Sequence, residues 1–401
     1  MLTHALMAVV GAALATGLLL AFYNPTSGGS GISLPGSGAV PAPGARSAPL
    51  SGGEQAIVTN VKPGLVIINT TLQYASEAAA GTGMVINADG LVLTNNHVIN
   101  GSTTITATVG STGKTYPATV VGYDKTRDIA LIQPRNASGL ATVPIGNSSS
   151  VRVGNPVVAM GNAEGRGTIT AKPGQVTALN QTITASDDGG STASETLHGV
   201  IQTNADVVPG DSGGPLASSA GVIGMDTAGS EGSSQQASAG FAIPINTALS
   251  VSRQIAGGHA SSTVTIGYPP FVGIFTGSGS SSSPRAQAEQ EQQQNGGFSG
   301  GAGNTPRCYT SNSGLTVPSA VAPVSSGALV IGTICGSPAA SAGLAAGAVI
   351  TAVNGRAVGS PDDLTGILSR FHPGEVISVT WVSPGGQRTT SNLHLTAGPP
   401  R

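Results

Sequence analysis

The segment PGDSGGPL, residues 209–216, surrounds Ser212 with glycines. Glycine permits tight turns and lets a substrate approach the backbone closely. Such a loop can direct the backbone N–H groups of Gly210 and Ser212 at one point, as the stabilisation of a developing oxyanion requires. A serine hydroxyl is a weak nucleophile and needs a neighbouring base. The segment therefore predicts a nucleophilic serine whose base lies elsewhere in the chain.

His97 and Asp128 are the candidates for the base and for the acid that orients it. Among six histidines, His97 alone ends a strong β-run, LVLTNNHVI. Asp128 stands in TRDIALIQ, directly ahead of an apolar run, and we expect it to be partly buried. Asp124 is the local rival, which we interpret as a surface residue at a strand end. No metal or other cofactor is expected, because no His, Cys and Asp cluster has ligand spacing.

The composition limits the classes of function. The chain has 401 residues with 60 glycines and 26 prolines, and charged residues make up only 8%. Apolar residues, at 39%, suffice for folded domains, and the length predicts two or three of them. A net charge of −2 and 3% aromatic residues argue against a nucleic-acid-binding face. We therefore expect no nucleic-acid partner.

Residues 54–258 read as an all-β domain. Short β-runs separated by Gly, Asn, Asp and Pro favour two six-stranded barrels. The predicted strands are residues 66–70, 83–86, 91–94, 104–109, 118–123, 128–132, 156–160, 168–171, 174–184, 200–203, 214–216, 222–226 and 240–243. One helix is predicted at 245–256, with Asn246 as its cap.

Residues 259–401 predict a small α+β domain with an insert. Residues 276–326 are rich in Ser, Gly and Gln, lack a hydrophobic period and are predicted to be disordered. Strands are predicted at 328–334, 349–353, 376–382 and 389–395. A helix is predicted at 361–370, where Ser360 can cap and Pro361 suits the first helical position.

The N-terminal segment predicts export. Residues 5–23 carry no charge and would form a helix of about 28 Å, close to the thickness of the bilayer core. We interpret residues 1–23 as a signal anchor, with a cleaved signal peptide as the alternative. The protein would lie in the cell membrane with its folded part outside the cytoplasm, or be secreted. Residues 24–53 read as a flexible Gly/Pro/Ser linker.

The chain has two cysteines, Cys308 and Cys335. In an exported protein such a pair favours a disulfide, and two separate buried thiols are the alternative.

Six ordered sequence blocks resemble the trypsin-like HtrA family of serine proteases, most of all the exported mycobacterial and actinobacterial enzymes with a C-terminal PDZ domain. The blocks are GTGMVI (81–86), LTNNHVI (93–99), VVGYDKTRDIALIQ (120–133), VVAMGN (157–162), PGDSGGPL (209–216) and GFAIPI (240–245). The order His, Asp, Ser and the spacings of 31 and 84 residues fit the same family. The resemblance covers nearly all of residues 54–275 and 327–401.

The resemblance implies a role for each matching residue. Ser212 would be the nucleophile, His97 the general base and then acid, and Asp128 the group that fixes the histidine tautomer. Gly210, Asp211 and Ser212 would form the oxyanion hole. The implied fold is a chymotrypsin-like double barrel with the site in the cleft between the barrels, followed by a PDZ domain.

Two acids depart from the family pattern. Asp206 occupies the offset at which trypsin selects Lys or Arg, whereas HtrA enzymes usually carry a small or apolar residue there. Specificity for basic residues and a carboxylate turned to solvent or paired locally both stay open. Asp211 replaces a common Asn. In trypsin this aspartate pairs with a newly cut N-terminus, which nothing in this sequence clearly supplies.

Two segments are expected to bind peptide backbone. The strand after the serine should pair with an extended substrate through the residues Gly224, Met225, Asp226, Thr227 and Ala228. YPPFVGIF, residues 268–275, resembles the carboxylate-binding loop of bacterial PDZ domains, with an ordinary β-edge as the alternative. Its amides at Phe271, Val272, Gly273 and Ile274 would receive a peptide C-terminus beside the 361–370 helix. The 276–326 insert follows directly and leaves open whether this groove is accessible.

The sequence thus predicts an exported serine endopeptidase that cleaves unfolded or misfolded envelope or secreted proteins through an acyl-enzyme. A PDZ domain would capture substrates or regulate. A latent or inactive protease-like chaperone or scaffold is the alternative. The resemblance also leaves a homotrimer open.

Overall fold

The computed structural model describes residues 50–186, 194–227, 239–277, 280–294, 308–312 and 315–400. The predicted anchor and nearly all of the predicted linker lie outside these residues. Among the helices in the described ranges, none is long and apolar enough to cross a membrane.

The N-terminal part is built almost entirely of antiparallel strands. They are β1 (Leu65–Leu72), β2 (Glu77–Val85), β3 (Val92–Thr94), β4 (Thr104–Val109), β5 (Thr115–Asp124), β6 (Ile129–Pro134), β7 (Pro156–Gly161), β8 (Thr170–Ser186), β9 (Ser194–Thr203), β10 (Pro215–Ser218), β11 (Gly221–Thr227), β12 (Gly240–Pro244) and β13 (Val264–Ile266). Three helices accompany them: α1 (Gly52–Val61), α2 (Asn96–Ile99) and α3 (Ile245–Ala256).

Two barrels form from these strands, as predicted. In the first, the order β5-β4-β1-β2-β3-β6 closes through pairing of β6 with β5, and β13 adds to β5. The second is a closed barrel in the order β10-β11-β12-β9-β8-β7. The two strands predicted at 168–171 and 174–184 are one long strand, β8. Because β13 pairs with β5, the first barrel also uses residues beyond the predicted boundary at 258.

Two helix starts differ from the sequence prediction. Helix α1 was not predicted, although Ser51 and Glu54 form a reciprocal capping box at its start. Helix α3 lies where predicted, but Pro244 occupies its N-cap position and no side chain caps it. The Asn246 amide instead donates to Asn147 Oδ1 at 2.8 Å, so it fastens the helix start to a neighbouring turn.

The C-terminal part is a small α+β domain. Its strands are β14 (Pro270–Phe271), β15 (Ile274–Thr276), β16 (Ala328–Thr333), β17 (Val349–Val353), β18 (Arg356–Ala357), β19 (Val376–Val382), β20 (Arg388–His394) and β21 (Thr396–Ala397). Its helices are α4 (Pro284–Gln294), α5 (Pro338–Ser341) and α6 (Pro361–Leu368). The main sheet has the order β15-β16-β17-β19-β20, so that β15 is an edge strand, and β18 pairs with β17.

The insert contains a helix, α4, which corrects the prediction of disorder across 276–326. Gln287 of this helix is buried, and its amide replaces a pairing strand at the start of β16. Its Nε2 donates to Gly327 O at 2.7 Å and its Oε1 accepts from Leu329 N at 2.8 Å. A segment without a hydrophobic period is thus held in place by a buried amide that bonds to the backbone at the start of β16.

Helices α4 and α6 cover opposite faces of the sheet. Ala288 of α4 packs with Leu329 and Val349, whereas α6 packs in the cluster that contains Val330 and Ile350. Adjacent residues of a strand point to opposite faces. Helix α4 of the insert therefore does not cover the sheet face that carries α6, where the peptide groove is predicted.

Cys308 and Cys335 form the predicted disulfide, with 4.9 Å between their Cα atoms. The bond fixes the end of the insert to the residues that follow β16. Asn312, four residues past Cys308, donates its N–H to Tyr74 O of the β1–β2 turn at 2.7 Å. The Tyr74 ring in turn stacks on Phe271, with ring centroids 5.6 Å apart. Asn312 of the insert and Phe271 of the predicted carboxylate loop thus both contact Tyr74 of the first barrel.

Candidate active site

His97 and Asp128 come together at the edge of the first barrel. His97 lies in helix α2, directly after β3, and not at the end of a strand as predicted. Its backbone N–H donates to Asp128 Oδ1 at 2.9 Å, and its Nδ1 lies 2.8 Å from Oδ2. The carboxylate therefore holds Nδ1 as the protonated ring nitrogen and leaves Nε2 to act as a base.

Asp128 is held firmly at the start of β6. It is buried and has a positive φ of 54°, which is uncommon for a residue with a side chain. Asn95 Nδ2 donates to its carbonyl at 2.9 Å, and Thr227 Oγ1 donates to Oδ2 at 3.3 Å. These bonds fix the carboxylate that orients His97, so the strained backbone coincides with a functional position.

Asp124 has a structural role. The prediction of a surface position is wrong, because this residue at the end of β5 is fully buried. It pairs with Arg127 at 2.6 Å and accepts from Thr263 Oγ1 at 3.1 Å. Asp124 thus ties the first barrel to the segment before β13, and Asp128 alone faces His97.

The backbone of the Ser212 loop is anchored on both barrels. Each carbonyl from residue 209 to 212 accepts a hydrogen bond. These bonds are Glu164 N–H to Pro209 O at 2.7 Å, Thr82 Oγ1 to Gly210 O at 2.7 Å, Gly214 N–H to Asp211 O at 2.8 Å and Thr82 N–H to Ser212 O at 2.9 Å. Donors outside the loop therefore hold three of these four carbonyls.

Glycine is required at two positions of this loop. Gly210 has a φ of +92°, and a Cβ there would lie 2.2 Å from Asn162 O. Gly213 has a φ of +83°, and its Cβ would lie 2.1 Å from Thr82 O. Both sites combine a left-handed backbone with contact to another backbone, so only glycine lets the loop pack this closely.

The anchored carbonyls also determine where the N–H groups point. In a planar trans peptide, the N–H of one residue is directed opposite to the carbonyl of the residue before it. The Gly210 and Ser212 N–H groups therefore point away from Pro209 O and Asp211 O, and they stay the predicted oxyanion donors. Asp211 needs a correction, because its N–H donates to Val208 O at 3.0 Å and is used within the loop.

Strand β11 links Ser212 to Asp128. The backbone of Asp226 accepts from Gly213 N–H at 2.9 Å and donates to Gly214 O at 2.7 Å. The next residue, Thr227, donates to the Asp128 carboxylate. Two consecutive residues of one strand thus hold the serine loop and the acid that contacts His97. The catalytic role of Ser212 with His97 and Asp128 stays a prediction.

The predicted substrate strand needs a correction for Gly224, Met225 and Asp226. This part of β11 pairs with β12 on one side and with β10 and the Ser212 loop on the other, inside a closed barrel. Its backbone groups are therefore unavailable to a substrate. Thr227 pairs with Phe241 on the β12 side. Ala228 lies outside the described residues.

The acids that depart from the family pattern have different environments. Asp206 is exposed. Asp211 is buried, and its Oδ2 accepts from Lys172 Nζ at 2.9 Å and from Val208 N–H at 3.0 Å. Burial raises the pKa of Asp211 above its usual value, while Lys172 opposes this rise. The local signal for Lys172 was a lysine in the low-charge β-run TITAKPGQVT, which sequence reasoning passed over.

Asp226 is a second buried acid beside this pair. Burial raises its pKa well above the usual range, and the neighbouring Asp211 carboxylate adds to the rise. The Lys172 charge lowers this pKa, and so does the Met160 backbone, although it is too poorly placed to form a hydrogen bond. Neither Asp226 carboxyl oxygen has a hydrogen bond to a described residue. In the described ranges, no three His, Cys, Asp or Glu side chains gather as a metal site.

The predicted carboxylate loop of the C-terminal domain is anchored through its carbonyls. Val272 O accepts from Ala339 N–H at 2.9 Å, and Gly273 O accepts from Ile334 N–H at 2.9 Å. By the same planarity, the N–H groups of Gly273 and Ile274 are directed away from these anchors. The binding of a peptide C-terminus at this loop stays a prediction.

Comparison with known proteins places these features in context. Residues 81–225 match the trypsin-like peptidase domain, and residues 331–383 match the PDZ domain. Serine protease PepD of Mycobacterium tuberculosis is 31% identical over 96% of this chain and 75% of its own length. Serine protease Do-like HtrA of Lactococcus lactis is 30% identical over 82% of this chain and 72% of its own length. The periplasmic pH-dependent serine endoprotease DegQ of Escherichia coli is 39% identical over 44% of this chain and 37% of its own length.

Proposed function

Because the chain belongs to the HtrA family of trypsin-like serine proteases with a PDZ domain, we propose that this serine endopeptidase cleaves unfolded or misfolded polypeptides outside the cytoplasm. The observation that carries the proposal is the bidentate contact between His97 and Asp128, next to an anchored Ser212 loop. The similarity to the periplasmic protease of Escherichia coli supports export, as does the apolar segment at 5–23. Membrane anchoring and trimer formation stay predictions.

The catalytic steps follow from the site. His97 Nε2 takes the proton of Ser212 Oγ as the oxygen attacks the scissile carbonyl. The Asp128 carboxylate stabilises the imidazolium, and the Gly210 and Ser212 N–H groups receive the oxyanion. His97 then gives its proton to the departing amine, which leaves an acyl-enzyme on Ser212. Water, deprotonated by His97, hydrolyses this ester and restores the serine.

A preference for flexible chains would follow from pairing of the substrate backbone at the end of β11, where Thr227 is the described residue of the predicted substrate strand that stays a candidate. An extended backbone bound at a strand edge gives affinity that does not depend on sequence, and a folded domain cannot present such a backbone. A PDZ groove between β15 and α6 would add capture of polypeptide C-termini. For the primary specificity, the exposure of Asp206 favours the carboxylate turned to solvent over selection of Lys and Arg.

The decisive test compares the wild-type chain with Ser212→Ala. We expect a fluorophosphonate to label the wild type only, and casein to be cleaved by the wild type only. Casein that stays intact while its aggregation is suppressed equally by both proteins would instead support the chaperone or scaffold. Sequencing of the cleavage products of wild type and Asp206→Ala would show whether Asp206 sets a basic preference.

A further inference from the structure

Lys172 contacts the Ser212 loop although it belongs to another element. It is the third residue of β8, where it pairs with Ala159 of β7 inside the closed second barrel. Its side chain is only 15% exposed, and its Nζ lies 2.9 Å from Asp211 Oδ2. The barrel therefore presents a fixed cation to a loop that is 39 residues distant in sequence.

Asp211 joins this cation to the backbone that carries the oxyanion donors. Its Oδ2 accepts from Val208 N–H, and its own N–H donates to Val208 O, so that side chain and backbone close one turn. Gly210 lies inside this turn and Ser212 directly follows it. Any displacement of the Asp211 carboxylate would therefore rotate the two peptides whose N–H groups are needed for catalysis.

An unpaired carboxylate is costly at this position. Asp211 is buried, and after burial itself the exposed Asp206 also raises the pKa of its carboxyl. The Asp211 carboxylate in turn adds to the raised pKa of buried Asp226. Lys172 is the cation that acts on both Asp211 and Asp226. Removal of one partner from a buried ion pair leaves the other charge uncompensated, which is strongly unfavourable. Without Lys172, the loop would relieve this charge by turning Asp211 toward water.

We propose that Lys172 is a positioning residue for peptide hydrolysis: its ammonium group anchors the Asp211 carboxylate and so holds Gly210 and Ser212 in the conformation that receives the oxyanion. In this chain the cation that contacts Asp211 comes from strand β8 of the second barrel. The proposal rests on the proposed protease function and adds a residue to its machinery.

The test is a double-mutant cycle in the full chain with Lys172→Met, Asp211→Asn and the double variant. The substrate is a fluorescence-quenched peptide chosen from the casein cleavage products. We expect Lys172→Met to lower kcat about a hundredfold, the order of effect seen when an oxyanion donor is lost. KM should stay within about threefold, since the bonds to substrate side chains are unchanged. Exposed Lys62 gives the control, Lys62→Met, which should leave kcat unchanged.

The cycle separates positioning from mere support of the fold. In the Asp211→Asn background, where no Asp211 carboxylate depends on the cation, Lys172→Met should change kcat less than about threefold. An equal loss of kcat in both backgrounds, or a loss below about threefold in the wild type, would overturn the proposal. If Lys172→Met does not fold, Lys172→Gln takes its place, because its amide still donates to Asp211, and about a tenfold loss is expected.

Two failures are distinguishable. A wild-type chain that neither reacts with a fluorophosphonate nor cleaves casein contradicts the proposed function. A wild type that does both, beside a Lys172→Met variant with unchanged kcat, contradicts the role of Lys172 alone.

Discussion

Replacement of Asp226 by Asn should stabilise the protease barrels at neutral pH, with a gain that shrinks as the pH falls toward 4. The Asp226 side chain is fully buried, and burial raises the pKa of its carboxyl well above the usual range. The folded state therefore keeps a proton that the unfolded chain, with an aspartate pKa near 3.9, releases. The stabilisation that the Asp226 carboxyl gives the folded state is fully present below its pKa in the unfolded chain. It is lost as the pH rises toward its pKa in the folded state.

The slope of this loss can be worked out. One proton held by the folded state and released by the unfolded state costs about 1.4 kcal/mol of unfolding free energy for each pH unit between the two pKa values. Asparagine has no proton to release, so the difference in unfolding free energy between variant and wild type should grow with pH at this slope. Any packing cost of the amide is constant and does not change with pH.

The assay follows thermal unfolding by far-UV circular dichroism between pH 4 and 8. Fluorescence would follow the wrong domain, because Trp381, the only tryptophan, lies in the core of the C-terminal domain. Asp89→Asn, at an exposed aspartate, is the matched control for the same Asp-to-Asn change outside the core. A difference between Asp226→Asn and wild type that is constant over this pH range would refute the reasoning.

Two further variants test the catalytic acid and the disulfide. Asp128→Asn should lower kcat by about 10⁴, since an amide has only one acceptor oxygen and cannot accept from both the backbone N–H and Nδ1–H of His97 as the carboxylate does. Circular dichroism should show an unchanged fold, and a loss below about tenfold would contradict this role. Cys308→Ser removes the disulfide that joins residues 27 apart in sequence, and it should lower the unfolding free energy of the C-terminal domain by about 3 kcal/mol. Trp381 fluorescence in urea would measure this loss. Reduction of the wild type should lower its unfolding free energy by the same amount. Equal urea midpoints for wild type and Cys308→Ser under oxidising conditions would contradict the stabilising role of the disulfide.

The candidate catalytic residues could be singled out from the sequence because their local signals are strong. Ser212 stands in a glycine-rich turn whose close packing admits no side chain at Gly210, and this constraint is visible in the sequence itself. Charge is scarce in the chain, so His97 and Asp128 were conspicuous beside apolar runs. The barrels were predictable for a similar reason, since short strands with regular turns leave few other architectures.

The remaining features depend on contacts between distant segments. Lys172 and Asp211 lie in different elements, and no local pattern shows that they meet. Asp226 reads as one acid in a β-run, and only closure of the barrel shows that it is buried. Helix α4 has almost no apolar residues of its own, so its formation depends on Gln287 finding the edge of β16. Tertiary structure supplies the stability in each case, and propensity does not.

Thr82 shows how the fold joins the two barrels at the site. This buried residue of β2 donates its N–H to Ser212 O and its hydroxyl to Gly210 O, and its hydroxyl accepts from Asn162 N–H at 2.9 Å. Its carbonyl accepts from Thr94 Oγ1, on the strand that leads to His97. One residue of the first barrel therefore fixes the serine loop of the second barrel, while Lys172 anchors the same loop from within its own barrel. A shift between the barrels would strain both sets of bonds together, so the oxyanion donors stay in position only when the cleft itself is correctly formed.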